Sequence, residues 1–328
     1  MAIAIFLCLS YSHRNFAQNQ PIGVVGFYNV ENLFDTEDGP NNDEDFLPGG
    51  VYGWDKSRYQ EKLNSIGKVI GSMAGGPDIV GLAEVENRKV IEDLISTESL
   101  APHRYQIVHY ESPDYRGIDV ALIYKAGKFV PFAMKQLVLN DPNNPQFKTR
   151  DMLWVKGLYF GDTLNVVVNH WPSRRGGKED MRVRAGNILR QAIDSVQQIN
   201  PAAKIILMGD FNDDPIDKSV KKELRADMKK LKPGDLYNAS LPTYKKGYGT
   251  LMYRGLWNLF DQIIISQSLL DENSDTYAYQ ENSFQIFAPD WMQTQDGNYA
   301  GAPFRTFVSG VYYGGYSDHY PTFIVLSK

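Results

Sequence analysis

Short apolar runs recur through this chain at Val24 to Val30, Asp78 to Glu84, Ile118 to Tyr124, Leu164 to His170, Lys204 to Asp210, Phe260 to Ser266 and Thr322 to Leu326. Runs of this length, rich in β-branched residues and closed by polar ones, read as buried strands. Between them, Tyr59, Leu63, Ile66, Val69, Ile70 and Met73, and later Met181, Ala185, Ile188, Leu189, Ala192, Ile193 and Val196, recur at helical spacing. Strands and helices alternate irregularly, without a strict strand-helix-strand repeat. That order predicts an α/β chain of two packed sheets flanked by helices, not a doubly wound parallel sheet. No internal repeat and no Pro/Ser linker interrupts it, so residues 21–328 are expected to form a single domain.

A hydrophobic fraction of 43% and an aromatic fraction of 12% over 328 residues exclude a disordered chain. The formal charge of -5 excludes the overall basic footprint of a protein that coats nucleic acid, leaving room only for a local basic patch. The run Met1 to Leu9 is too short to span a bilayer, and a small residue, Ala17, precedes Gln18. Residues 1–20 are therefore expected to be a cleaved secretory signal, which places the mature chain in a periplasm or outside the cell. Cys8, the only cysteine, falls inside that segment, which excludes disulfides and thiolate zinc sites from the rest. Nothing signals an integral membrane span, a stable protein partner or an oligomer, so a monomer is expected.

The chemistry is expected where strands end. Asn29 and Glu31, Glu84, Asn169 with His170, Asp210 with Asn212, Asp261, and Asp318 with His319 are each read as lying at or just beyond the C-terminal end of an apolar run. One such residue is an ordinary turn cap. Together they supply carboxylates for a hard cation, two imidazoles and amide donors, which a phosphoester transition state requires.

In the same order the chain carries YNVENLFD (Tyr28 to Asp35), GLAEVEN (Gly81 to Asn87), VNHWPSRRGG (Val168 to Gly177), GDFND (Gly209 to Asp213), DQIIIS (Asp261 to Ser266) and SDHYP (Ser317 to Pro321). This set resembles the endonuclease/exonuclease/phosphatase superfamily, in a bacterial secreted branch, over nearly the whole length. The resemblance implies a four-layer α/β sandwich, two mixed sheets face to face with helices outside. It implies that Glu84 is the main ligand of Mg²⁺ or Mn²⁺ (Ca²⁺ is also admitted), with Glu31, Asn29 and Asp318 completing the shell. It further implies that His319 deprotonates the attacking water, with Asp261 fixing its tautomer, and that Asp210 and Asn212 position the nucleophile and bind phosphate oxygens. His170 matches the second histidine of the deoxyribonuclease and sphingomyelinase branches, and Asp119, in RGIDVALIY, is the candidate carboxylate partner for it. His13, His103 and His109 lie outside any motif and read as surface or packing residues.

After His170 comes a basic cluster containing Arg174 and Arg175, with Arg182 and Arg184 on the following helix. Arginine forks grip phosphate oxygens in pairs, so Arg174 and Arg175, together with Asn169, are expected to hold the substrate phosphate. Two long stretches break the strand pattern, Asp35 to Trp54 and Asp271 to Gly315. The second carries Trp291, Tyr299, Phe304, Arg305, Phe307, Tyr312, Tyr313 and Tyr316, which form either an aromatic wall beside the site or packing over a sheet edge. The favoured function is a metal-dependent phosphodiesterase acting on DNA or RNA. A phosphatase or phospholipase C-like enzyme on phospholipid headgroups, sugar phosphates or inositol phosphates uses the same site, and a non-catalytic binding module is the reading from another class.

Overall fold

The computed structural model describes residues 21–328 apart from 176 and 273; the signal segment expected over 1–20 lies outside the described residues. In chain order the first half contains β1 (Pro21–Leu33), α1 (Lys56–Ser72), β2 (Ile79–Val85), α2 (Arg88–Ile95), β3 (Tyr105–His109), β4 (Asp119–Lys125), β5 (Phe129–Leu137), β6 (Met152–Tyr159) and β7 (Asp162–His170). The second half contains α3 (Glu179–Ile199), β8 (Lys204–Asp210), β9 (Ala226–Asp227), β10 (Leu236–Asn238), β11 (Leu251–Tyr253), β12 (Leu256–Asn258), β13 (Asp261–Ser266), β14 (Ala278–Tyr279), β15 (Gln285–Ile286), β16 (Phe307–Val308), β17 (Val311–Tyr312) and β18 (Thr322–Ser327).

Period-two alternation sends Val25, Phe27, Ile79 and Ala83 to one face of their sheet and Tyr28, Val30, Val80 and Leu82 to the other. The first set meets Val166, Val168, Ile206, Met208, Ile263 and Ile265 of a second sheet, making the central core. Outside the first sheet lie α1 and α2, through Leu63, Ile66, Val69, Ile70 and Val90. Outside the second lies α3, through Met181, Ala185, Leu189 and Ile193. The chain is thus the expected four-layer sandwich. Both long helices match their expected faces, and α1 is capped by Asp55, whose side chain accepts from Arg58 N at 2.9 Å.

The sheets share one pairing plan. The first runs β14-β18-β1-β2-β4-β3, with β15 also on β18, and the second runs β5-β6-β7-β8-β13-β10-β9. In each, one parallel pair sits in the middle, β1 with β2 and β7 with β8, flanked on both sides by antiparallel neighbours. The parallel pairs end at the same edge of the sandwich, where motif residues from both meet. Near that edge the sheets approach closely, since a Cβ on Gly81 of β2 would lie 2.6 Å from Met208 Sδ of β8.

The two long stretches fold against each other. Tyr52 and Trp54 of the first pack on Phe307 and Tyr312 of the second, with ring centroids 4.7 to 6.4 Å apart. Trp291 packs on Tyr316 with ring centroids 5.1 Å apart and planes tilted by 60°, and is capped by Lys68 of α1 at 4.3 Å. These rings therefore pack over α1 and the sheet edge. Short strands β14 to β17 punctuate the second stretch, so it is not one continuous loop. Among the described residues no helix is long and apolar enough to cross a membrane.

Candidate active site

His170, Asp210 and Asp261 stand in one row, because β7 pairs with β8 at His170 and Asp210, and β8 with β13 at Asp210 and Asp261. Residues opposed in register project from the same face, so all three reach one end of the sandwich together. Asp261 and the Asp318-His319 pair do not follow strand ends, as the sequence suggested. Asp261 opens β13 and His319 precedes β18, and these strands run antiparallel to β8 and β1. A residue that starts an antiparallel neighbour arrives at the same edge as one that finishes the central strand.

Two irregularities deliver the remaining groups. The register of β1 on β2 jumps between Asn29 and Leu33, and that of β2 on β4 between Ala83 and Val85. At these bulges Glu31, Asn32 and Glu84 have φ of 53°, 51° and 64°. Non-glycine residues in the left-handed region carry strain of about 1 kcal/mol or more each, which is held where bulges re-aim side chains. The two bulges interlock, because Asn32 N donates to Glu84 Oε2 at 3.0 Å.

Asp210 is the hub. Its Oδ2 accepts from Asn29 Nδ2 at 3.1 Å, across the seam between the sheets, and lies 3.7 Å from His170 Nε2 and 3.8 Å from His319 Nε2. Its Oδ1 accepts from Asn212 N at 2.9 Å. His319 Nδ1 lies 2.7 Å from Asp261 Oδ2, and the same oxygen accepts the Thr250 hydroxyl. Ser317 Oγ donates to Asn29 O at 2.7 Å and accepts from His319 N at 3.1 Å, tying the approach to β18 onto β1.

Burial and charge set the protonation of this group. Burial alone would lower the His319 pKa, but Asp261, Asp210 and Asp318 together hold it well above the ordinary imidazole range. Burial, reinforced by Arg150, Arg116 and His319, pushes His170 well below that range. Burial raises Asp210 to about 7 despite the opposing pull of His319. The two histidines are thus driven in opposite directions within one site.

An ion's donor set can be tested against these contacts. Glu84 Oε1 faces Asn29 Nδ2 at 3.5 Å, His170 Nε2 at 3.7 Å and Arg116 Nη2 at 3.8 Å, with no ammonium or guanidinium in hydrogen-bond contact. Asn29 turns Nδ2 toward this oxygen and toward Asp210, while its Oδ1 accepts from Glu31 N at 3.0 Å, so the oxygens here are the carboxylates of Glu84 and Asp210, whose net negative charge fits a hard divalent cation. Glu31 differs. Arg305 and Thr306 N already donate to its two oxygens, and Arg305 Nη2 also reaches Asp318 Oδ2 at 3.0 Å.

Four expected placements change. Asn169 does not face substrate: its side chain is fully buried, donates to Val167 O and Met208 O, and accepts from Trp171 Nε1. Asp119 is not the partner of His170; its Oδ2 lies 2.9 Å from His109 Nε2, and its Oδ1 accepts from Ser112 N and Oγ. Among the described residues, His170 Nδ1 is buried with no hydrogen-bond partner. Arg174 is committed to Asp213, Asp214 and Asp217 at 3.4, 3.2 and 2.6 Å and to Asn212 O, so its fork braces the loop after β8. Arg175 is exposed, and its backbone N donates to Ser173 Oγ. Asn212 lies at φ 49° and points its amide to Trp171 O, contributing its backbone N–H to Asp210. Sequence reasoning passed over Thr250, which lies in no run or motif, Lys62, which falls between Tyr59 and Leu63 of the first helical pattern, and Arg116, which opens the RGIDVALIY segment quoted for Asp119. It noted Arg305 only as part of the aromatic stretch.

A two-sheet sandwich with an imidazole-carboxylate pair and an acidic, amide-lined pocket at the ends of its central strands defines a class of fold and site. A model of the Endonuclease/Exonuclease/phosphatase family matches residues 24–328, and the chain belongs to that family. Comparison with curated protein sequences finds no match. Among solved structures, TDP2 of D. rerio complexed with single strand DNA product is similar at a TM-score of 0.56 and 12% identity, covering 93% of this chain and 98% of that one. A mannosyl-6-phosphatase of Bacteroides thetaiotaomicron is similar at 0.58 and 16%, covering 94% and 100%. An endonuclease/exonuclease/phosphatase family protein of the same species is similar at 0.56 and 16%, covering 94% and 98%. At these identities the likeness is one of fold.

Proposed function

We propose that this chain is a divalent-metal-dependent phosphodiesterase acting on nucleic acid. The observation that carries the reading is the junction at Asp210, where Asn29 and His319 arrive from strands of one sheet and His170 from the other, all within 3.8 Å of Asp210 Oδ2, with Asp261 Oδ2 2.7 Å from His319 Nδ1. Glu84, beside Asn29 and Asp210, is the residue that would hold the ion, which would supply Lewis-acid stabilisation of phosphoryl charge. Asp261 keeps the proton of His319 on Nδ1 and turns Nε2 toward Asp210. Asp210 Oδ2 faces His319 Nε2 at 3.8 Å, and this pair takes the proton of the attacking water as a unit. His170, kept neutral by burial, donates from Nε2 to a phosphoryl oxygen. TDP2 with its single strand DNA product supports the substrate class through a shared fold. We also place the mature chain outside the cytoplasm, on the composition of its first residues; retention of a reporter fused to residues 1–20 in the cytoplasm would count against this.

One observation favours a small phosphate monoester instead. A cavity of about 520 Å³ opens beside Tyr320, the residue after His319, lined by Tyr248, Trp257, Gln285 and Gln293 with no charged side chain among its lining residues. Such a lining suits an uncharged ring, and the fold is shared with the mannosyl-6-phosphatase. Purified protein, with Mn²⁺ and with EDTA, is offered single-stranded DNA, RNA, bis-nitrophenyl phosphate, nitrophenyl phosphate and mannose 6-phosphate. Metal-dependent diester turnover lost in Glu84→Gln supports the first reading. Turnover of monoesters alone selects the second, and no turnover at all removes both.

A further inference from the structure

Glu31 and Asp318 belong to the acidic shell in which the motif resemblance places the metal, yet a positively charged side chain already joins them. Arg305 Nε and Nη2 donate to Glu31 Oε1 at 3.0 and 2.7 Å, and Nη2 donates also to Asp318 Oδ2 at 3.0 Å. Thr306 N takes the other Glu31 oxygen at 2.9 Å, so no oxygen of this buried carboxylate lacks a donor.

The guanidinium is held in place from behind. Lys62 of α1, itself buried, donates to Thr306 Oγ1 and to Tyr316 O, each at 2.6 Å. This one ammonium ties Thr306, the residue after Arg305, to Tyr316, two residues before Asp318. Two charge-assisted donations to one Glu31 oxygen and a third to Asp318 are strong together, so a small ion gains little by displacing them. The other half of the site has the opposite character. Glu84 and Asp210 face amides and imidazoles, and the guanidinium nearest Glu84, that of Arg116, lies at 3.8 Å. The need for a divalent cation is therefore concentrated at Glu84.

We propose that Arg305 is a resident counter-cation occupying the Glu31-Asp318 half of the site, so that the protein loads one divalent ion, at Glu84, and none beside Glu31. This rests on the metal-dependent reading above. Arg305 is a positioning residue here, acting through the two carboxylates it bridges. Its Nη1 makes no hydrogen bond among the described residues and stays available toward solvent.

The test counts Mn²⁺ by equilibrium titration with electron paramagnetic resonance, on the full chain and without substrate. The parent is expected to bind one ion, with the spectrum of an isolated centre at saturation. Arg305→Gln is expected to bind two, and Glu31→Gln added to it to return the count to one, with circular dichroism confirming that each variant is folded. A parent that saturates at two spin-coupled ions overturns the inference without recourse to any variant. A folded Arg305→Gln that still binds one ion overturns it while leaving the metal-dependent reading intact. A parent that binds none removes the metal-dependent reading and the inference with it.

Discussion

Asp261 Oδ2 lies 2.7 Å from His319 Nδ1 and also accepts the hydroxyl of Thr250, so one carboxylate oxygen serves both the imidazole and a loop that precedes its own strand. His319→Ala is expected to lower turnover by about 10² to 10⁴-fold, the range of a lost general acid-base group. Asp261→Asn should approach that loss, since it supports the wrong tautomer. Thr250→Val is expected to cost up to about tenfold in kcat with little change in KM, the equivalent of one hydrogen bond. A Thr250→Val enzyme with parental kcat would show that the hydroxyl does not hold Asp261 in place.

The two site histidines are expected to give stability opposite pH dependences. His319 is raised, so in metal-free protein its stabilising contribution is full below the unfolded value of about 6.5 and fades as pH climbs through the raised native value. His170 is depressed, so the unfolded chain takes up its proton first and the parent loses stability as pH falls through about 6.5. Urea midpoints of the parent minus those of His319→Gln should therefore shrink from pH 6 to pH 9. The difference from His170→Asn should instead turn against the parent between pH 7 and pH 5. Parallel slopes for the two variants would contradict the opposite shifts.

Asp119 is buried against His109 and Ser112, away from His170, and its replacement is expected to act on stability rather than chemistry. Asp119→Asn should cost about 1 to 3 kcal/mol of unfolding free energy by mispairing buried groups. Its kcat/KM should stay within about threefold of the parent once the folded fraction is matched, a loss of under about 1 kcal/mol. A hundredfold fall in kcat with an unchanged melting temperature would return Asp119 to the catalytic machinery.

Arg174 and Arg175 are neighbours with different expected effects. Arg174→Ala leaves Asp213, Asp214 and Asp217 close together and releases Asn212 O, which should cost about 1 kcal/mol after allowance for its partial exposure. Arg175→Ala should leave stability within about 0.5 kcal/mol and, if the loop meets a polymer, raise KM for DNA in a salt-dependent way. Thermal melts and KM at two ionic strengths separate these outcomes.

All seven apolar runs became strands and both helical patterns became helices, because a strand buried on both faces reads as an unbroken apolar run and a helix buried on one face as a 3.6-residue period. The edge of the second sheet was less legible. In β5, Val130, Phe132 and Met134 are exposed apolar residues, so hydrophobicity there does not report burial. The eight-residue α2 is too short to display a period. For the site, motif residues on the central strands meet as their order implied. Asn169, Asp119 and Arg174 do not face the site, because side-chain direction and competing partners are set by contacts between distant segments. Arg305 reaches Glu31 across 274 positions of sequence, and no local pattern encodes such a pairing.

The seam between the sheets, where Gly81 meets Met208 and Asn29 meets Asp210, cuts the candidate site in two. Neither sheet alone carries both the Glu84 pocket and the imidazole pair. Cation binding at Glu84 would then act as a proofreading step for folding, rewarding only chains whose two halves have come together at the right separation. For the same reason, a methyl group added deep in the core, far from solvent, would shift the spacing of reactive atoms that it never touches.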